Sequence, residues 1–133
     1  MERALITLTS AESKRLIGKG IANLPEVKNA FENSIVFIAT STSTAYVAEE
    51  LLNKSIKEKG FFTAGVVVPR GICTTSSKKR LKYIGIKKGI ATDVTMAELR
   101  DKWLPEMEPN DVFIKGANAI DPLGAAGILL GNG

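Results

Sequence analysis

Thr40, Ser41, Thr42, Ser43 and Thr44 form one unbroken run of hydroxyls, and Ala45 opens a helical pattern directly behind them. That placement suits an anion. The first backbone N–H groups of a helix have no partner inside it, and the helix dipole puts partial positive charge at that end. Ser43 or Thr44 could simply cap the helix, but a cap needs one hydroxyl and this run offers more. A second polar group follows the apolar residues Val112–Ile114: Lys115, Gly116, Ala117, Asn118, Ala119, Ile120, Asp121 and Pro122. Ligands of open α/β sheets sit beyond the carboxyl ends of the strands. On that reading Lys115 supplies charge, and Asn118 and Asp121 offer hydrogen bonds to ligand hydroxyls. Asn118 and Asp121 would serve equally well as turn formers, with Asp121-Pro122 starting a turn.

Other chemistries are narrowed by what the chain lacks. There is no histidine, which removes Ser-His-Asp and Cys-His nucleophiles, histidine-ligated zinc and imidazole acid–base work. Catalysis would have to run on carboxylates, lysines, hydroxyls or backbone dipoles. The single cysteine, Cys73, has Arg70, Lys78 and Lys79 nearby to lower its pKa but no base partner, so it is not read as a nucleophile. Asp93 and Asp121 are too isolated for a metal site. The sequence therefore assigns no catalytic residue, metal ligand or cofactor, and leaves enzymatic activity open.

The 133 residues, 44% hydrophobic and 24% charged, fit one ordinary globular domain over residues 1–133. The net charge is +4. It is concentrated, because no acid lies between Glu58 and Asp93, while Lys59, Arg70, Lys78, Lys79, Arg80, Lys82, Lys87 and Lys88 do. Such a run attracts anions, nucleic acid included, or is a solvated basic loop. Nucleic acid is disfavoured, since residues 70–88 hold only Tyr83 as a stacking group and no recognition motif accompanies them. No apolar run is long enough for a bilayer, and the N-terminal stretch has no signal-peptide apolar region. With one cysteine, the expectation is a cytoplasmic protein with no membrane partner.

Capped helices alternate with β-branched runs along the chain, which predicts an α/β sheet. Thr9 and Glu12 form a capping box, after which Leu16, Ile17, Ile21 and Leu24 share a face opposite Lys14, Arg15 and Lys19. Gly18 and Gly20 weaken that helix, each by about 1 kcal/mol. Pro25 restarts a short helix to Phe31. Residues 34–39 read as a strand buried on both faces. Ala45, Ala48, Leu51, Leu52 and Ile56 then mark a helix with Glu49, Glu50, Asn53, Lys54 and Lys57 facing away, Glu50 paired with Lys54, and Gly60 as its cap. Residues 61–68 follow as a second buried strand, completing a right-handed βαβ unit. Residues 71–79 read as a loop, 80–86 as a strand, and Lys87, Lys88 and Gly89 as a turn. Thr95 and Glu98 cap a helix carrying Met96, Leu99 and Trp103 on one face, which Pro105 stops. Strands near 35–39, 61–68 and 111–115 are expected to be adjacent and parallel in a three-layer, Rossmann-like α/β domain.

Residues 34–46, reading Ser-Ile-Val-Phe-Ile-Ala-Thr-Ser-Thr-Ser-Thr-Ala-Tyr, resemble the opening strand and phosphate loop of ribose-5-phosphate isomerases. Residues 111–121, Asp-Val-Phe-Ile-Lys-Gly-Ala-Asn-Ala-Ile-Asp, resemble a later strand end of that family. Leu129, Leu130, Gly131, Asn132 and Gly133 are similar to its lysine and triple-glycine segment. The resemblance covers residues 34–133 and implies the superfamily that includes glucosamine-phosphate deaminases, CoA transferases and the effector domains of DeoR-type repressors. It implies binding of a sugar phosphate or similar small anion by residues 40–44 and 115–121. The departures argue against isomerase activity. Asn118 stands where the family has an aspartate and is no base, Leu130 replaces its lysine, and Thr40 and Thr42 replace loop glycines. Where the recognised family continues past the glycine-rich end, another copy of the chain could complete an open strand edge, giving a homo-oligomer.

Overall fold

The computed structural model, which describes residues 3–68 and 70–128, is a mixed α/β fold built on a four-stranded sheet. Its first helix, α1 (Ser10–Ala22), starts at the capping box: Glu12 accepts from the Thr9 N–H at 2.8 Å and Thr9 Oγ1 accepts from the Glu12 N–H at 3.3 Å. Of its expected apolar face only Ile21 packs on the core. Leu16 and Ile17 are 61% and 49% exposed, whereas Gly18 and Ala22 are buried. The cause is close packing on α3 (Thr44–Leu52), since a Cβ at Gly18 would lie 2.9 Å from the Tyr46 carbonyl carbon. Small residues permit that approach, and the chain places them opposite Leu16 and Ile17. Gly18→Ala is therefore expected to lower the unfolding temperature, because overpacking against backbone costs about 1–3 kcal/mol and outweighs alanine's helix gain of about 1 kcal/mol. A thermal melt checks this, and an unchanged or higher midpoint would contradict the packing.

Helix α2 (Pro25–Asn33) carries Pro25 in its first turn, where the missing N–H has no cost, and buries Val27 and Ala30. Strand β1 (Ile35–Ile38) follows, with Val36, Phe37 and Ile38 fully buried, as a strand covered on both faces requires. Val36 and Ile38 join Ala30, Ala45, Ala48 and Ile86 in one cluster, and Phe37 joins Val94 and Leu99 in another. The helices α2 and α3 cover the first face.

The sheet order is β5 (Ile90–Val94), β4 (Tyr83–Lys87), β1 and β6 (Val112–Ile114). Strand β4 runs antiparallel to β1, and β5 antiparallel to β4. Lys88 and Gly89, at φ 50° and 78°, make the two-residue turn between them, matching the twist of a hairpin. Strand β6 is parallel to β1. One of the three pairings is thus parallel, not the majority expected. The predicted strand at 61–68 accounts for the difference. Only β2 (Gly65–Val68) is extended there, and it pairs antiparallel with β3 (Gly71–Thr74) in a separate two-stranded sheet. No βαβ unit forms through α3, and residues 71–74 are strand rather than loop. Closing a two-residue connection costs less chain entropy than returning to the main sheet, and an apolar run alone does not say which partner it takes.

Helix α3 ends at Asn53, which adopts the left-handed conformation (φ 48°, ψ 40°), and Gly60 instead sits in a 3₁₀ turn, Lys59–Phe61. Asparagine tolerates that conformation, so the helix stops before Lys54. Thr95 forms its capping box for α4 (Met96–Glu98), with Glu98 accepting from the Thr95 N–H at 2.8 Å. The helix continues through a π-helical stretch, Leu99–Trp103, into α5 (Leu104–Glu106). Pro105 does not stop it. The wider turn pairs the Leu104 N–H with the Leu99 carbonyl, leaving Pro105 at the start of the next turn, where no donor is needed. Leu99 and Trp103 reach the Phe37 face of the sheet, while Met96 is exposed. Strands β7 (Ala119–Ile120) and β8 (Ala126–Gly127) close a small hairpin. Among the described residues no helix is long and apolar enough to cross a membrane.

Candidate functional site

The hydroxyl run and the Lys115 segment leave the carboxyl ends of neighbouring parallel strands, β1 and β6. They meet there: the Ala39 N–H donates to the Ile114 carbonyl at 2.9 Å, and a Cβ at Gly116 would lie 3.1 Å from Ser41 Oγ. Asp111 anchors the other end of this pair, accepting from the Ile35 N–H at 2.8 Å and the Glu108 N–H at 2.7 Å. The register that brings the loops together is thus held at both ends.

Within the run the hydroxyls divide by role. Ser41, rather than Ser43 or Thr44, caps α3: its Oγ accepts from the Thr44 N–H at 3.0 Å and lies 2.9 Å from Thr44 Oγ1. Thr44 is buried, only 2% exposed, and its hydroxyl donates to the Ala39 carbonyl at 2.5 Å. Those two side chains shape the loop. Thr42 Oγ1 accepts from Lys14 Nζ at 2.9 Å. The half-buried Thr40 and Ser43 hydroxyls make no hydrogen bond to other described residues, nor do the backbone N–H groups of Thr42 and Ser43. These donors stand at the positive end of the α3 dipole.

Lys14 reaches the hydroxyl run itself, and Lys115 stands in the segment that meets it. Lys115 Nζ donates to Asn118 Oδ1 at 2.9 Å and lies 3.4 Å from the Gly116 carbonyl. Lys14, which its helix pattern placed toward solvent, comes from α1. Its signal was the four-residue spacing Lys14, Gly18, Ala22, a small-residue stripe that marks the packed face better than hydrophobicity does. Asp121 takes the turn role: its Oδ1 accepts from the Leu123 N–H at 2.9 Å and the Ala125 N–H at 2.8 Å. Asn118 also ties its N–H to the Gly127 carbonyl at 2.9 Å, so the β7–β8 hairpin sets the Lys115 segment. The segment at Leu129–Gly133 lies outside the described residues.

A separate charged cluster joins α1 to α3. Glu49 accepts from Arg15, from Lys59 at 2.6 Å and from the Ile56 N–H at 2.7 Å. Arg15 also pairs with Glu50 at 2.8 Å, the ion pair that stands in place of the expected Glu50–Lys54 contact. Arg15 and Lys59 lie over the Tyr46 ring, 4.6 and 5.0 Å from its centroid. Burial pushes the Glu49 carboxyl up, but the Lys59, Ile56 and Arg15 hydrogen bonds outweigh it and hold the group below the usual carboxylate range.

Three members of the basic run between Glu58 and Asp93 have partners within the fold. Lys59 is taken by Glu49, Lys87 by Glu106, and Arg80 donates to the Ala64 and Thr75 carbonyls at 3.2 and 3.0 Å. Cys73 is exposed on β3. Among the described residues, no three of His, Cys, Asp and Glu are grouped to hold a metal. No protein-family model, curated protein or solved structure matches the chain.

Proposed function

We propose that the protein binds a small anionic metabolite, phosphorylated or carboxylated, where residues 40–44 meet Lys115 and Gly116. The observation that carries this is the contact between Ser41 and Gly116 beyond two parallel strand ends, with free donors at Thr40, Thr42 and Ser43. Lys14 and Lys115 supply the countercharge, and the α3 N-terminus receives the anionic oxygens. The same reading takes the domain as a three-layer, Rossmann-like relative of the isomerase superfamily that has lost the proton-transfer groups. Asn118 keeps only a hydrogen-bonding role, orienting Lys115.

Titration with ribose 5-phosphate, inorganic phosphate and acetyl phosphate by calorimetry tests binding. Each charged hydrogen bond contributes about 1.5–3 kcal/mol, so Lys14→Ala with Lys115→Ala should weaken the tightest ligand about 10²- to 10⁴-fold. Ser43→Ala with Lys115→Ala should give a smaller loss. Unchanged affinity in both variants would move the ligand away from this loop. An isomerase assay on ribose 5-phosphate should read background, because losing a general base alone costs about 10²- to 10⁴-fold. Turnover at an ordinary enzymatic rate would refute that part.

A further inference from the structure

A cleft of about 680 Å³ opens at the far end of α3 from the hydroxyl loop. Leu52, Ile56, Phe62 and Ile84 supply its apolar walls, and Ala91 of the edge strand β5 closes one side. It lies where α3 stops early at Asn53, between the chain that follows that helix and the β4–β5 hairpin. Such a volume is in the range of small-molecule sites, about 300–1,000 Å³.

Its rim is charged. Lys54 and Lys57 come from the segment after α3, and Lys82 from the approach to β4. Lys54 and Lys57 form no ion pair with a described residue, and Lys82, also outside any close ion pair, helps hold the Glu98 carboxyl low. Glu58 and Asp93 also line the cleft, so the five rim charges sum to +1. We infer that this cleft is a second ligand site, for an amphipathic small anion whose alkyl or aryl body lies on Ile56, Phe62 and Ile84 and whose carboxylate or phosphate meets the rim lysines, Lys54 and Lys57 first. Burying an apolar body in a preformed cleft supplies affinity, and the lysines select the sign of the headgroup. The two carboxylates keep the rim from being a general polyanion surface.

Sodium octanoate is the probe, followed by amide chemical shifts of the isotopically labelled protein, with octylammonium chloride as the matched cation. Octanoate should shift the Ile56, Ile84 and Ala91–Asp93 amides, and octylammonium should bind at least several-fold more weakly. Lys54→Gln with Lys82→Gln should weaken octanoate about tenfold, as expected for two exposed charge contacts. Ala91→Trp, a substitution at an exposed site, should fill the cleft and abolish binding while leaving phosphate binding at the hydroxyl loop unchanged. Shifts confined elsewhere, equal binding of octylammonium, or octanoate affinity unaffected by Ala91→Trp would each overturn the inference.

Discussion

Replacing Gly85 with alanine is expected to lower the stability of the fold by about 2–4 kcal/mol and to turn the sole tryptophan out of its site. A Cβ at this position in β4 would lie 2.3, 2.5 and 2.6 Å from three atoms of the Trp103 ring. The ring has little room to yield. Its centroid is 6.1 Å from that of Phe37 in an edge arrangement, and Lys87 Nζ covers it from 4.7 Å. Phe37 is in turn stacked on Phe113 at 5.1 Å and tilted against Tyr83 at 5.7 Å. A methyl group therefore either displaces the indole, losing most of its packing, or bends strand β4. Denaturant unfolding followed by tryptophan emission reads both: a lower midpoint with a red-shifted native spectrum. Trp103→Leu, which removes the far ring atoms, should make the Gly85→Ala cost much smaller in a double-mutant cycle. An additive cycle would show that the ring is not what the glycine accommodates.

The second large effect concerns Glu49. Its carboxylate is 6% exposed and holds Arg15, Lys59 and the Ile56 N–H. Glu49→Gln should cost about 2–3 kcal/mol, less than the about 3–5 kcal/mol of a fully buried broken pair, because Arg15 and Lys59 keep partial access to water. The pH dependence carries its own signature. With the folded pKa depressed, the unfolded chain binds the proton more readily. The stabilisation is full above the ordinary carboxylate range and is lost as pH falls through the folded value. Glu12, Glu98 and Asp101 are also held low, by partners at the surface, so the wild-type acid limb is a sum. The difference between wild type and Glu49→Gln isolates the one group: it should be largest near neutrality and shrink in acid. A difference that grew in acid would reverse the assigned direction.

The lysines that pattern analysis placed on the solvent side of α1 show where reading by hydrophobicity goes astray. Leu16 and Ile17 are better apolar candidates than Gly18 and Ala22 by side-chain size, yet α3 selected the small pair because helices pack by shape as well as by transfer energy. Lys14 entered the candidate site as a consequence, 2.9 Å from Thr42. In the same way Glu49, grouped with the polar face of α3, became the buried tie between α1 and the 3₁₀ turn. A charge can be buried when its partners arrive with it, and those partners are distant in sequence.

What the chain determined by itself is local. Thr9 with Glu12 and Thr95 with Glu98 start their helices through bonds spanning three residues, Lys88 and Gly89 turn a hairpin, and the β-branched run at Ile35–Ile38 makes a strand apolar on both sides. The hydroxyl run also needs only its neighbours to stand at the start of α3. Tertiary structure alone decided which strands lie beside β1, that β2 leaves the main sheet, and that Lys14, Ser41 and Gly116 converge. Local elements are set by dihedral preference and short-range hydrogen bonds, whereas strand partnership is settled by loop entropy against burial over the whole chain. Residues 61–68 have the composition of a core strand, but composition does not contain the competing offer of a two-residue hairpin next door.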